Sequence, residues 1–213
     1  MIESDLIQGS AEWRAARAGS LGASQVHEAI ARVKTGWGAS RANVMAQLIA
    51  ERLTGIPADS FTNAAMQWGT ATEPQARAAY EFLHDVDVEQ VGLIKHPAIV
   101  GTHASPDGLI RSDGMLEIKC PTVATHIDTL LAGKVPAKYV TQMQWQMACA
   151  GRSWCDFASY DPRLPASMQL FVQRIERDDK LIGELEDMVR QFLTELDAKV
   201  QALRNLYEAR EAA

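Results

Sequence analysis

The chain has 213 residues, enough to bury one sizeable core, and its 47% apolar and 23% charged content is that of an ordinary globular protein. No apolar run approaches the roughly 18 residues of a membrane span, and the acidic start Met1-Ile2-Glu3-Ser4-Asp5 lacks the basic region of a signal peptide, so a cytoplasmic protein is expected. A net charge of −6 speaks against a simple basic DNA-coating protein, and Cys120, Cys149 and Cys155, without a Cys-x-x-Cys pair, speak against a disulfide framework or a zinc site.

Residues 10–18 read as a short helix, and 24–33 as another with Ser24 as its N-cap. Residues 39–54 have helical spacing and stop at Gly55-Ile56-Pro57. A longer helix covers 64–83, with Trp68, Ala76, Tyr80 and Leu83 along one side and Pro74 expected to bend it or mark a first turn. The character then changes. Residues 86–95 are β-branched and partly alternating, and short strands are expected at 98–103, 107–111 and 115–119. Helices return at 122–132 and 136–150, strands at 155–160 and 168–176. A long amphipathic helix closes the chain at 178–210, with its stripe Ile182, Leu185, Val189, Phe192, Leu196, Leu203 and Leu206 expected on its own domain rather than at a subunit interface. No repeat or linker interrupts this order. It predicts one α/β domain with a central mixed sheet flanked by helices: a helical part over 1–85, a sheet part over 86–176 and the closing helix.

The chemistry concentrates in the predicted hairpin Ser105-Pro106-Asp107-Gly108-Leu109-Ile110-Arg111, Ser112-Asp113-Gly114, Met115-Leu116-Glu117-Ile118-Lys119. With 112–114 as the loop and Gly114 free to take positive φ, Arg111 faces Met115, Leu109 faces Glu117 and Asp107 faces Lys119. Alternation puts Asp107, Glu117 and Lys119 on one face and Leu116 and Ile118 in the core. Asp107 and Glu117 become diagonal neighbours about 7–8 Å apart, close enough to share a metal ion. A carboxylate pair suits magnesium, which prefers oxygen ligands and retains water. The ion polarises a phosphate and activates water, while a lysine positions that water or neutralises transition-state charge. Alone, Pro-Asp-Gly is usually a turn and Glu-x-Lys a solvated strand face. Their conjunction, followed by Cys120-Pro121 and a glutamine-rich helix, is more telling.

These residues resemble the signature of the PD-(D/E)xK nuclease superfamily, and the chain is similar over nearly its whole length to the phage lambda exonuclease (YqaJ-type) family. The stretches Trp13–Gly19, Gly22–Val26, Trp68–Glu73, Ser105–Leu109, Leu116–Pro121, Gln142–Trp145 and Tyr160–Arg163 carry the resemblance. It implies a Mg2+-dependent 5′-to-3′ exonuclease on linear double-stranded DNA, with Mn2+ as an alternative ion. It implies a homotrimeric ring, a single-strand annealing partner and a phage or prophage gene read in the bacterial cytoplasm. By position it makes Asp107 and Glu117 metal ligands with the carbonyl of Ile118, and Lys119 the catalytic lysine. It sets Glu73 near the metal, Gln144 in the active site, and Arg17, Ser24 and Ser105 on the terminal 5′-phosphate. Departures lie between residues 34 and 63 and at Pro74.

Plainer readings stand beside these. Glu73 can simply pair with Arg77 at i,i+4, and Ser24 can be only a cap. His103 falls on the catalytic face, yet a histidine at a strand end is more often structural than a metal contact. Alternate helix positions do not share a face, so at most one of Gln142, Gln144 and Gln146 is expected in the site. Trp13, Trp37 and Trp145 are more often core than base-stacking platforms, with only the Trp13–Arg17 region a candidate wedge. The rival functions are an endonuclease or resolvase of the same superfamily and a non-catalytic DNA-binding module.

Overall fold

The computed structural model describes residues 2–3, 6–34, 36–58 and 64–211. In chain order the elements are β1 (Ile2–Glu3), α1 (Ala11–Arg17), β2 (Leu21–Gly22), α2 (Ala23–Ala29), β3 (Arg32–Val33), β4 (Gly36–Trp37), α3 (Ala39–Thr54) and α4 (Ala64–His84). There follow β5 (Val88–Glu89), β6 (Leu93–Lys95), β7 (Thr102–Ala104), β8 (Gly108–Ile110), β9 (Gly114–Lys119), α5 (Val123–Ala132) and α6 (Ala137–Ala150). β10 (Trp154–Tyr160), a short 3-10 turn at Ala166–Met168, β11 (Leu170–Glu176) and α7 (Asp179–Glu211) complete the chain.

The strands form two mixed sheets, ordered β11-β10-β9-β8-β5 and β1-β6-β7-β2, beside the small β3-β4 hairpin. β9 pairs in parallel with β10 and antiparallel with β8, and β2 pairs in parallel with β7. The pleat divides the larger sheet between two cores. Leu116 and Ile118 of β9 point to Ala76 and Tyr80 of α4. Leu109, Met115 and Phe157 point to Met143 and Met147 of α6 and to the α7 stripe. That stripe is buried from Ile182 to Val200, whereas Leu206 is exposed.

Several boundaries follow local chemistry. Ser10 caps α1 by accepting Trp13 N–H, Thr122 caps α5, and Gly55, Gly133 and Gly151 close their helices in the left-handed conformation. The predicted helix over 24–33 is shorter. It begins at Ala23 with Gly22 as its N-cap, so Ser24 lies inside the first turn, and residues 32–33 turn away to pair with 36–37. Pro74 neither starts nor ends α4. Thr72, Ala76 and Tyr80 form the buried face of that helix, while Leu83, expected on it, is exposed. The strand expected over 86–95 is two strands in different sheets, and the one expected at 98–103 is confined to Thr102–Ala104.

The central hairpin differs in register. The pairs are Gly108↔Leu116, Leu109↔Met115 and Ile110↔Gly114, so the three-residue loop is 111–113. Arg111, not Gly114, adopts positive φ, at 50°. Gly114 serves a different purpose: it pairs with Trp154, and a Cβ there would lie 2.1 Å from the Trp154 Cζ2 atom. Gly114→Ala is therefore expected to destabilise the fold by about 1–3 kcal/mol in urea unfolding, because the indole has to leave its place.

Candidate active site

Extending the β8–β9 ladder by one residue sets Asp107 opposite Glu117, closer than the diagonal placement expected from sequence. The face assignment is unchanged. Asp107 Oδ2 accepts the Ile118 N–H at 2.6 Å. Glu117 is 1% exposed, and three donors converge on its carboxylate. Gln142 Nε2 reaches Oε1 at 2.6 Å, Gln146 Nε2 reaches Oε2 at 2.6 Å, and the Lys119 ammonium pairs with Oε1. Burial, followed by the neighbouring Glu117, pushes the Asp107 carboxyl well above the usual carboxylate range. Burial works to lower the Lys119 ammonium, yet Glu117 and Asp107 outweigh it and hold the group above its ordinary value.

Two facing carboxylates in a half-dry cleft repel each other unless a cation lies between them. With the Ile118 carbonyl they offer an all-oxygen donor set, which a hard divalent cation accepts. Among the described residues no cluster of three His, Cys, Asp or Glu side chains is present, so such an ion would keep several waters.

One cavity of about 210 Å3 joins this centre to the predicted phosphate residues: Arg17, Ser24 and Ser105 line it together with Asp107, Glu117 and Lys119. The Arg17 guanidinium lies 3.9 Å from the centroid of the Trp13 ring, and Trp13 Nε1 donates to Gly92 O at 2.9 Å and to Ser105 Oγ at 3.2 Å. A wider groove of about 620 Å3 opens from the other side of Asp107 and Lys119, with Glu73, Lys138 and Tyr139 among its walls. Glu73 pairs with Arg77, accepting from its Nη2 at 2.5 Å, and also lines that groove beside Asp107.

The structure does not bring Gln144 to the site. Its side chain donates to Glu176 O at 2.8 Å and accepts from Asp178 N at 2.9 Å, pinning the β11–α7 junction instead. Two glutamines, not one, reach the carboxylate. Gln142 and Gln146 are one helical turn apart on a single face, and the i,i+4 spacing was the signal that could have found them. Gln8 was also missed; it donates to Val91 O and Pro106 O, both at 2.8 Å, and so braces the segment leading into Asp107. His103 touches Arg17 rather than the carboxylates. Trp145 is fully buried, and Trp37 is partly exposed between Arg32 and Arg41.

A mixed sheet with an Asp, a Glu and a Lys at the ends of neighbouring strands, backed by helices, is the architecture of a PD-(D/E)xK nuclease. The comparisons agree. Residues 12–153 match the model of the YqaJ-like viral recombinase domain. The crystal structure of an alkaline exonuclease from Laribacter hongkongensis, LHK-Exo, is 51% identical, with a TM-score of 0.87 over 96% of this chain and 100% of that one. The same enzyme in complex with dAMP superposes at 0.89 with 50% identity and the same coverage. A phage-related exonuclease from Haemophilus somnus, 16% identical, shares the fold at 0.69 over 86% of this chain and 96% of its own. No match is found among curated proteins. The chain belongs to the YqaJ-like viral recombinase domain family, a family of metal-dependent nucleases, and it is a nuclease that acts on DNA.

The glutamine placements separate chemistry from stability. Gln142→Ala is expected to cut nuclease turnover about 10–100-fold, as loss of a group orienting a metal-site carboxylate does. Gln144→Ala is expected to leave turnover near wild type while costing about 1–3 kcal/mol in thermal unfolding, from its two lost hydrogen bonds.

Proposed function

We propose that the protein is a Mg2+-dependent 5′-to-3′ exonuclease that degrades one strand of linear duplex DNA and leaves 3′ single strands for recombination by annealing. The observation that carries this reading is the shared cavity. Arg17, Ser24 and Ser105, donors suited to a terminal phosphate, line one cavity with the carboxylate–lysine centre. A phosphate held there sets the bond to be cut at a short, fixed distance from the 5′ end. Mononucleotide release from 5′ ends follows, and the dAMP complex of the Laribacter relative accords with it.

In this reading Asp107, Glu117 and the Ile118 carbonyl hold the ion, and Gln142 and Gln146 fix the Glu117 carboxylate. When bound, the ion polarises the scissile phosphate and acidifies a water. Lys119, kept charged by the two carboxylates, donates to the attacking water or to a phosphoryl oxygen and offsets negative charge developing in the transition state. Glu73 acts from the groove wall, through water. Arg17 holds the terminal phosphate with paired N–H donors, as the guanidinium fork allows. A ring-shaped homotrimer around the duplex and an annealing partner for the exposed strand complete the proposal; both rest on the family.

Linear duplex DNA labelled at each 5′ end tests it directly. Label should be released with Mg2+, stop with EDTA, and fall at least about 100-fold in Lys119→Ala. Cutting of closed circular DNA would instead establish an endonuclease, and binding without cleavage a non-catalytic module. A second outcome concerns the end itself: 5′-phosphorylated duplexes should be degraded faster than 5′-hydroxyl duplexes, and Arg17→Ala should reduce that preference by about tenfold or more.

A further inference from the structure

The structure assigns to His103 a role outside the chemistry: it is the positioning residue that turns Arg17 toward the 5′ end of the DNA. The inference rests on the end-binding reading of Arg17 given above. Arg17 is the last residue of α1, and its guanidinium is fixed at two points. Trp13 lies against its face, and its Nε–H donates to His103 Nε2 at 3.0 Å. An arginine carries five N–H donors in a rigid fork. Tethering the inner one leaves both terminal amino groups for the cavity shared with Ser24 and Ser105. Among the described residues no carboxylate comes within ion-pair distance of Arg17; Glu51, which lines a neighbouring cavity with it, attracts it only at longer range and turns its own oxygens to Gly19 N, Gln47 and Ala58 N.

His103 can do this because its own state is set. It is 2% exposed on β7, and its Nδ1 lies 2.9 Å from Ser20 Oγ. An arginine can only donate, so Nε2 has to be the acceptor nitrogen and Nδ1 carries the proton toward Ser20. A protonated ring would set N–H against N–H and cation against cation. Burial, and then Arg17 itself, push the imidazole down to about 3, so it stays neutral over the working range. Ser20 N–H donates back to Arg17 O at 3.0 Å, which closes the loop of contacts. Gly22, paired with His103 across β2 and β7, leaves room for it: a Cβ there would lie 3.3 Å from His103 Nε2 and 3.5 Å from Arg17 Nη2.

The test is the ratio of initial rates on 5′-phosphate and 5′-hydroxyl duplexes that are otherwise identical, measured across duplex concentration. Wild type is compared with Arg17→Ala, His103→Ala, His103→Gln and the double alanine variant. His103→Ala should lower the ratio roughly tenfold, mainly through KM, the scale of one hydrogen bond to a charged group. The double variant should fall no further than Arg17→Ala alone. His103→Gln, whose amide can accept from Arg17 and donate to Ser20, should return to within about threefold of wild type. A ratio retained in His103→Ala but lost in Arg17→Ala overturns the proposal alone. A ratio of one in wild type, or one untouched by Arg17→Ala, overturns the end-binding reading and the proposal with it. Nitrogen-15 spectra of the wild-type imidazole give a readout that does not depend on a buried variant folding. A protonated Nδ1 with a bare Nε2 supports the assignment, and the opposite tautomer overturns it.

Discussion

A carboxylate almost cut off from water has to be compensated where it stands, and Glu117 is such a group. Its burial opposite Asp107 sets two negative charges side by side in a medium that screens them poorly. Much of the surrounding structure answers that one constraint. Lys119 follows two residues later on the same face, α6 aims two amides at the two oxygens, and the backbone N–H of Ile118 takes the other carboxylate. The repulsion between the two carboxylates is what a divalent cation bound between them would offset.

The same site lies on the seam between the two sheets. β7, which carries His103, belongs to the smaller sheet and β8 to the larger, so the short segment 105–107 joining them carries Ser105 and Asp107 across the boundary. Gln8 clamps this crossing at Pro106 O, and Trp145 of α6 ties it from behind by donating to Thr102 Oγ1 at 3.0 Å. Thr102 in turn donates to Leu21 O, which fixes β2 and with it the entry to α2 and Ser24. Ser24, Ser105 and the carboxylate centre are thus tied to one hydrogen-bonded connection rather than to two independent loops. A shift at the seam would move both groups of residues together.

Much of this was legible in advance, and the failures have definite causes. The hairpin was expected with its loop at 112–114 and is found with it at 111–113. Moving a three-residue loop by one position changes every partner, so Glu117 faces Asp107 and not Leu109. It leaves every side chain on the same face, because the pleat has a period of two. The face assignment survived for that reason. The glutamines failed in the opposite way. Matching by position favoured Gln144, but a helix advances about 100° per residue, and only Gln142 and Gln146 share the face that α6 turns to the sheet. At 24–33 the apolar spacing continued past the true helix end, since nothing local announced that residues 32–33 would pair with 36–37.

Sequence alone determined the strand–turn–strand carrying Asp107, Glu117 and Lys119, the helices whose ends are marked by Gly55, Gly133 and Gly151, and the resemblance to a nuclease family. All of these depend on short-range rules: alternation along a strand, glycine at a left-handed cap, the spacing of a motif. Tertiary structure decided which glutamines meet the carboxylate, that Gly114 exists to admit Trp154, and that Arg17 is held by a histidine 86 positions away. Those contacts are fixed by how helices lie on sheets and how two sheets meet. No local pattern encodes that geometry, because it is the joint solution of burial and hydrogen bonding over the whole chain.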